Sequence, residues 1–126
     1  MEAIARLKYQ RGSVKRARLV ADLIRNKNVN ESKDILYFSK KRVARIISKL
    51  LDAAISNAVS KEGKVEIDKL IINEIFVDNG VTMKRYRHRA RGRADMIRKR
   101  TCYITLSVSD EKYLSETEEV ELGSKN

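Results

Sequence analysis

The segment from Lys84 to Arg100 constrains this chain more than any other feature. It carries nine basic residues and one acidic residue, Asp95. Alone in water such a run repels itself and has too little apolar surface to collapse, so it needs a polyanion to take one shape. Most of its cations are arginines, whose flat guanidinium can bind phosphate as a fork and stack on a base. With Tyr86 and His88 interleaved, the segment suits close contact with folded RNA.

The alternative interpretations of this segment are a solvated loop, a localisation signal or a DNA reader. Ordered strands are predicted on both sides of it, which disfavours the first two. Proteins that read DNA generally place three or four side chains in one groove. Here basic residues stand at nearly every position, so an extended strand would be basic on both faces. This pattern favours burial inside a large folded RNA.

The net charge of the chain points to the same partner. The 126 residues carry a net charge of +11, and the first 109 hold 26 basic and 11 acidic residues, a net of +15. Such an excess is typical of nucleic-acid binding. An anionic membrane surface is the rival partner, but no stretch approaches the roughly 20 apolar residues that span a bilayer. With no signal-peptide pattern after Met1, we expect a cytoplasmic protein.

Three amphipathic segments come first along the chain. Ser13 is predicted to cap a helix that ends before Asn26, and Asn30 to cap a short second helix through Phe38. Ser39 is predicted to cap the longest helix. Its apolar residues recur at helical spacing at Val43, Ile46, Ile47, Leu50, Ala54, Ile55 and Ala58.

The pattern then changes to that of strands. Residues 70–77 are rich in β-formers, and apolar residues alternate over 103–109 and over 3–9. The strands on either side of the basic segment predict a hairpin with an unusually long loop or extended tip. The fold class is therefore α+β, with three helices packed on a small three-stranded antiparallel sheet and a long protruding basic β-hairpin at about 70–108. We expect one RNA-binding domain over 1–110 and an acidic, disordered tail over 111–126.

No catalytic residue, cofactor or metal site is expected. His88 stands among arginines without a neighbouring carboxylate to orient it as a base. Asp78 and Asp95 are too sparse a set of ligands for a metal ion. The single cysteine, Cys102, excludes an intrachain disulfide and a cysteine metal cluster. Arg100 beside it could lower the thiol pKa, but a buried strand cysteine is the favoured interpretation.

Several runs of residues resemble one known family. They are Arg11-Gly-Ser-Val-Lys-Arg-Ala-Arg-Leu-Val-Ala-Asp-Leu-Ile-Arg25, Met83-Lys-Arg85, Arg89-Ala-Arg-Gly-Arg-Ala-Asp95, Arg98-Lys-Arg-Thr101 and Ile104-Thr-Leu-Ser-Val-Ser-Asp110. In this order and at this separation they closely resemble the bacterial large-subunit ribosomal protein L22 family. The resemblance covers about residues 1–110.

The resemblance implies a structural, non-catalytic protein of the ribosome. Its globular domain would lie at the ribosome surface and bind large-subunit rRNA, with an early role in assembly. Its hairpin would reach inward to line the polypeptide exit tunnel, with residues 83–95 at the tip. The implied partners are rRNA, neighbouring ribosomal proteins and the nascent polypeptide, with no membrane.

The resemblance and the basic segment together give the expected site residues. Met83 and Tyr86, the least charged large side chains of the tip, are expected to line the tunnel. The expected RNA-binding residues are Arg11, Ser13, Lys15, Arg16, Arg18, Lys84, Arg85, Arg87, His88, Arg89, Arg91, Gly92, Arg93, Arg98, Lys99 and Arg100. The competing hypothesis is a DNA- or RNA-binding regulator that acts alone, and an enzyme ranks third.

Overall fold

The computed structural model of the protein describes residues 2–63 and 65–110. The acidic segment 111–126, for which we predicted disorder, lies outside the described residues. In chain order the elements are β1 (Glu2–Arg11), α1 (Val14–Ile24), α2 (Val29–Phe38), α3 (Arg42–Glu62), β2 (Leu70–Asn79), β3 (Met83–His88), β4 (Ala94–Lys99) and β5 (Thr101–Asp110). A single 3-10 turn lies at Ile67–Lys69, and a turn that includes Ala90–Gly92 joins β3 to β4.

The main sheet has three antiparallel strands in the order β1-β5-β2. The predicted strand pattern is confirmed in β5, where Ile104, Leu106 and Val108 are fully buried. The α+β class and the three helices are confirmed as well. The predicted strand number was too low, because the described residues form five strands, and β3 and β4 make a second, two-stranded sheet.

The helices pack on one face of the main sheet and enclose the core. Side chains from every layer meet there, including Ile24, Ile47, Leu51, Ile72 and Leu106, all with at most a trace of exposure. Short side chains on α3, among them Ala54 and Ala58, allow this long helix to approach β1 and β5 closely. The predicted stripe of α3 is buried at most of its positions.

Two predicted helix starts were wrong. α2 begins at Val29 because Asn28, not Asn30, is its N-cap, and the Asn28 side chain accepts a hydrogen bond of 2.9 Å from the Asn30 N–H. α3 begins at Arg42 after Lys41, while Ser39 only accepts a 3.4 Å hydrogen bond from the Lys41 N–H. Several cap-forming residues stand close together here, and tertiary packing selects among them, since a start at Val29 buries that side chain completely.

Of the two forms predicted for the basic segment, a long loop or an extended tip, the long loop is not observed. β3 and β4 pair with each other from Met83 opposite Lys99 to His88 opposite Ala94. We call these two strands and the turn between them the basic ribbon. Nearly all of its side chains are exposed, so its backbone ladder, rather than a buried face, gives it regular structure.

Candidate nucleic-acid interface

Three neighbouring clefts open where the end of β1, the start of α1 and the start of α3 meet at Ser13. The largest, of about 510 Å³, lies between α1 and α3. A second, of about 270 Å³, extends from α1 to the end of β2, and an open one of about 460 Å³ continues to the junction of β4 and β5. All three include Ser13 in their walls, so they form one continuous concave surface, which we call the Ser13 surface.

Every charged residue that lines the Ser13 surface is basic. Its eight charged side chains are Arg11, Lys15, Arg16, Arg18, Lys41, Arg42, Arg98 and Arg100. Among the described residues, no aspartate or glutamate lines any of the three clefts. Low-dielectric walls of one charge sign concentrate the field in a cleft and attract counter-ions. The surface is therefore suited to a polyanion.

Most of these cations are not neutralised within the protein. Over residues 2–63 and 65–110, Arg18 alone of the eight forms a side-chain hydrogen bond, and none forms an ion pair. The acidic side chains form pairs elsewhere, as in Asp22 with Arg25 and Asp52 with Lys33. The positive charge of the Ser13 surface thus remains available to a partner.

A tight backbone connection holds the parts of this surface together. The Gly12 N–H donates a 3.0 Å hydrogen bond to the Arg100 carbonyl, which fixes the end of β1 to the residue between β4 and β5. Gly12 has a φ of 144°, a region that favours glycine. This turn lets the chain pass from β1 into α1 within two residues. It brings Arg11 close to Arg100, although they are far apart in sequence.

Arg18 contributes to the fold as well as to the surface. Its Nε and Nη2 atoms donate hydrogen bonds of 3.2 and 3.0 Å to the Val77 carbonyl on β2. Both bonds run from one guanidinium to one oxygen, and they connect α1 to the main sheet. The Arg18 side chain also lines the cleft that Lys15 lines. Of the residues expected to bind RNA in α1, Arg18 is thus the one with a structural role.

The basic ribbon arranges its charges so that strand pairing is tolerated. Lys84 opposite Arg98 is the single like-charge pair among the six cross-strand pairs, whereas Arg87 stands opposite Asp95. Directly opposite residues share a face, and neighbours along a strand alternate between faces. Both faces of the ribbon are consequently basic, as expected for a segment surrounded by phosphate.

The same register separates the two residues that we expected to line the tunnel. Met83 lies on the face that carries Arg85 and Ile97. Tyr86 lies on the opposite face, directly across from Met96, and its side chain is 74% exposed. Each face of the ribbon therefore has one uncharged patch, and the two patches cannot contact the same partner from one side.

The turn at the end of the ribbon is ordered by contacts of Arg89. Its N–H donates a 2.7 Å hydrogen bond to the Arg93 carbonyl, and its Nε donates a 2.8 Å bond to Asp95 Oδ2. Between them Arg91 and Gly92 adopt the left-handed conformation, with φ of 62° and 73°. For arginine this conformation costs about 1 kcal/mol or more. The turn projects the Arg91 side chain into solvent.

The expected RNA-binding residues thus fall into two groups. One lies on the Ser13 surface and comprises Arg11, Ser13, Lys15, Arg16, Arg18, Arg98 and Arg100. The other lies on the ribbon and comprises Lys84, Arg85, Arg87, His88, Arg89, Arg91, Gly92, Arg93 and Lys99. Sequence reasoning missed Lys41 and Arg42 as site residues. The run of three cations at 40–42, directly before an apolar helix, was the available signal.

Other features with possible chemistry are accounted for by the fold. Cys102 is buried in β5, and burial raises the pKa of its thiol, as expected for a structural rather than a reactive cysteine. Over residues 2–63 and 65–110, no three His, Cys, Asp or Glu side chains come close enough together to hold a metal ion. No helix in that part of the chain has the length and apolarity needed to cross a membrane.

Comparison with known protein families identifies a family for this chain. The model of the family described as "Ribosomal protein L22p/L17e" matches residues 5–109. The matched range runs from β1 to β5 and includes the whole Ser13 surface and the whole basic ribbon.

Proposed function

The chain belongs to the ribosomal protein L22p/L17e family, which consists of structural proteins of the large ribosomal subunit, and we propose that it binds large-subunit rRNA through two surfaces. These are the Ser13 surface and the basic ribbon. In this proposal the chain acts in translation as a cytoplasmic ribosomal component without a cofactor, and it supports assembly of the subunit. Its partners are rRNA and neighbouring ribosomal proteins.

The observation that carries this proposal is the continuous cationic lining of the Ser13 surface, free of acidic residues in the part that the structure describes. Arginine dominates it, and a guanidinium binds phosphate through two parallel hydrogen bonds. The ribbon begins at the edge of this surface, since Arg98 and Arg100 belong to the wall of the open cleft. A strand of RNA could follow one basic path from the domain onto the ribbon.

We further propose that the ribbon projects from the domain into the RNA particle. Its strands pair only with each other among the described residues, and its side chains are exposed on both faces. At roughly 3.3 Å per residue, the chain from Gly80 to Ala90 can place the turn at most about 33 Å from the main sheet. The turn could then lie deep in the subunit while the helices remain near its surface.

The ribbon is proposed to line the polypeptide exit tunnel. Met83 and Tyr86 lie on opposite faces, so one of them faces the nascent chain while the other packs against rRNA. Photo-crosslinkers placed separately at positions 83 and 86 test this. Label on a nascent peptide from one position and on rRNA from the other supports the proposal. Label on rRNA alone from both positions would show that the ribbon is fully buried and does not reach the tunnel.

Cosedimentation distinguishes a ribosomal component from a regulator that acts alone. The tagged protein, expressed in cells, should remain with large subunits after centrifugation through high salt, because a buried ribbon cannot dissociate without opening the RNA around it. Recovery at the top of the gradient, with the protein instead on a messenger RNA or on DNA, would contradict the proposal.

A further inference from the structure

We propose that the cleft between α1 and α3, which we call the corner cleft, is a binding site for two successive backbone phosphates and the ribose between them. The inference rests on the proposed binding of rRNA and names what part of the RNA this cleft holds. The site is separate from the ribbon. Its cationic residues are Arg11, Arg16, Lys41 and Arg42.

Four cations without a side-chain partner in the described structure surround one cleft, and an external anion can neutralise them. They come from three elements, the end of β1, the first turn of α1 and the start of α3, so the fold has brought them together from distant parts of the sequence. None has a hydrogen bond or an ion pair from its side chain among the described residues. Like charges held around a cavity repel each other, and this repulsion is relieved only by a bound anion or by counter-ions.

The positions of these cations oppose the stability of the helices. The N-terminal end of a helix carries a partial positive charge and is stabilised by acidic residues, but the first turns of α1 and α3 contain none. By contrast, α2 has Glu31 in its first turn and an Asn28 side chain that caps it. Helix stability therefore does not account for the cations at the corner cleft.

The floor of the corner cleft suits a ligand that is larger and less polar than a free phosphate ion. Val43 and Ile46 form part of its lining and are only half-buried. With a volume of about 510 Å³ the cleft has room for a group much larger than one anion, since one water occupies about 30 Å³. An apolar floor with a cationic rim fits a ribose that lies against the floor while its two flanking phosphates meet the arginines.

The test compares a variant that lacks two cations of the cleft with a control variant that lacks two nearby solvent-exposed cations. The cleft variant is Lys41→Gln/Arg42→Gln. The control is Lys40→Gln/Arg45→Gln, which removes the same charge from exposed positions of the same region that do not line the cleft. All four side chains are exposed and unpaired in the described structure, so both variants should fold, and thermal melting verifies it.

Binding of each protein to large-subunit rRNA is measured over a series of KCl concentrations. Each phosphate that a protein neutralises contributes about 0.7–0.9 to the slope of log K against log salt. We expect the cleft variant to reduce the slope by about 1.4–1.8, and the control to reduce it by less than half as much. Equal slopes in the cleft variant and the control would overturn the inference.

A second measurement uses the folded protein without RNA. Inorganic pyrophosphate is titrated while amide signals are followed by NMR. We expect saturable shifts at Gly12 and Arg42 in the wild type and their loss in the cleft variant, whereas shifts that persist in the cleft variant would overturn the site. If the wild type binds rRNA and only ribbon variants have a flatter slope of log K against log salt, the cleft inference is wrong while the proposed function stands. If the wild type does not bind rRNA at all, the proposed function fails.

Discussion

The N–H of Gly80 donates a 2.9 Å hydrogen bond to the Thr101 carbonyl, and the Thr101 hydroxyl donates one of 2.6 Å to the Val81 carbonyl. These contacts close the point where the main sheet ends and the basic ribbon begins. The approach is so close that a Cβ on Gly80 would collide with Thr101 Oγ1 and lie 3.0 Å from the Thr101 carbonyl. The joint therefore sets the direction in which the ribbon leaves the domain.

Gly80→Ala should destabilise the protein by about 1–3 kcal/mol, because the added methyl group has no space and the strands must separate. Chemical denaturation measures this change. Removing the obstructing hydroxyl in a Thr101→Ala background should make the same glycine substitution less costly. A double-mutant cycle without coupling between positions 80 and 101 would show that the close contact does not hold the joint.

Arg18→Ala should lower the free energy of unfolding by about 1–2 kcal/mol, because it removes two charge-assisted hydrogen bonds that connect α1 to Val77. Arg16→Ala is the matched control, since Arg16 is exposed on the same helix and its side chain has no partner in the described structure. It should change stability by less than about 0.5 kcal/mol. Equal losses from the two variants would mean that the Val77 contact contributes little.

Cys102 should make the protein less stable at alkaline pH. Burial raises the pKa of this thiol above its ordinary value of 9.0. Below that value the thiol is protonated in both states, so it has no effect on the pH dependence. As the pH rises above 9.0, the Cys102 thiol of the unfolded chain releases its proton, whereas the buried thiol of the folded protein retains it. This difference favours unfolding. Wild-type stability should therefore fall more steeply than that of Cys102→Ala above pH 9, and parallel curves would contradict the burial of the thiol.

The helices and the main sheet were predictable because apolar periodicity specifies them. Ile104, Leu106 and Val108 alternate in the sequence and are all buried in β5. The ribbon strands lack such a pattern, because nearly every side chain in them is exposed and no face needs to be apolar. Their pairing depends on partners across the turn, such as Arg87 with Asp95, and no local pattern shows that register.

The candidate site was predictable to the extent that its residues are adjacent in sequence. The cations of 84–100 form one run, so they were recognised together. Lys41 and Arg42 were missed, because their approach to Arg11 depends on how α3 packs beside α1. The hydrogen bonds of Arg18 to Val77 were hidden for the same reason, since a sequence does not distinguish a guanidinium that binds RNA from one that binds the backbone.

The most direct test of the account compares the wild type with a protein in which a short turn replaces residues 83–99. This change keeps the Gly80–Thr101 joint and the Ser13 surface apart from Arg98, and it removes strands that pair only with each other among the described residues. The measurement is the slope of log K against log salt for binding to large-subunit rRNA. We expect the shortened protein to remain folded and to bind with a clearly flatter slope, because each lost phosphate contact removes about 0.7–0.9 from it. A shortened protein that keeps the full slope would contradict the claim that the basic ribbon is a principal contact with rRNA.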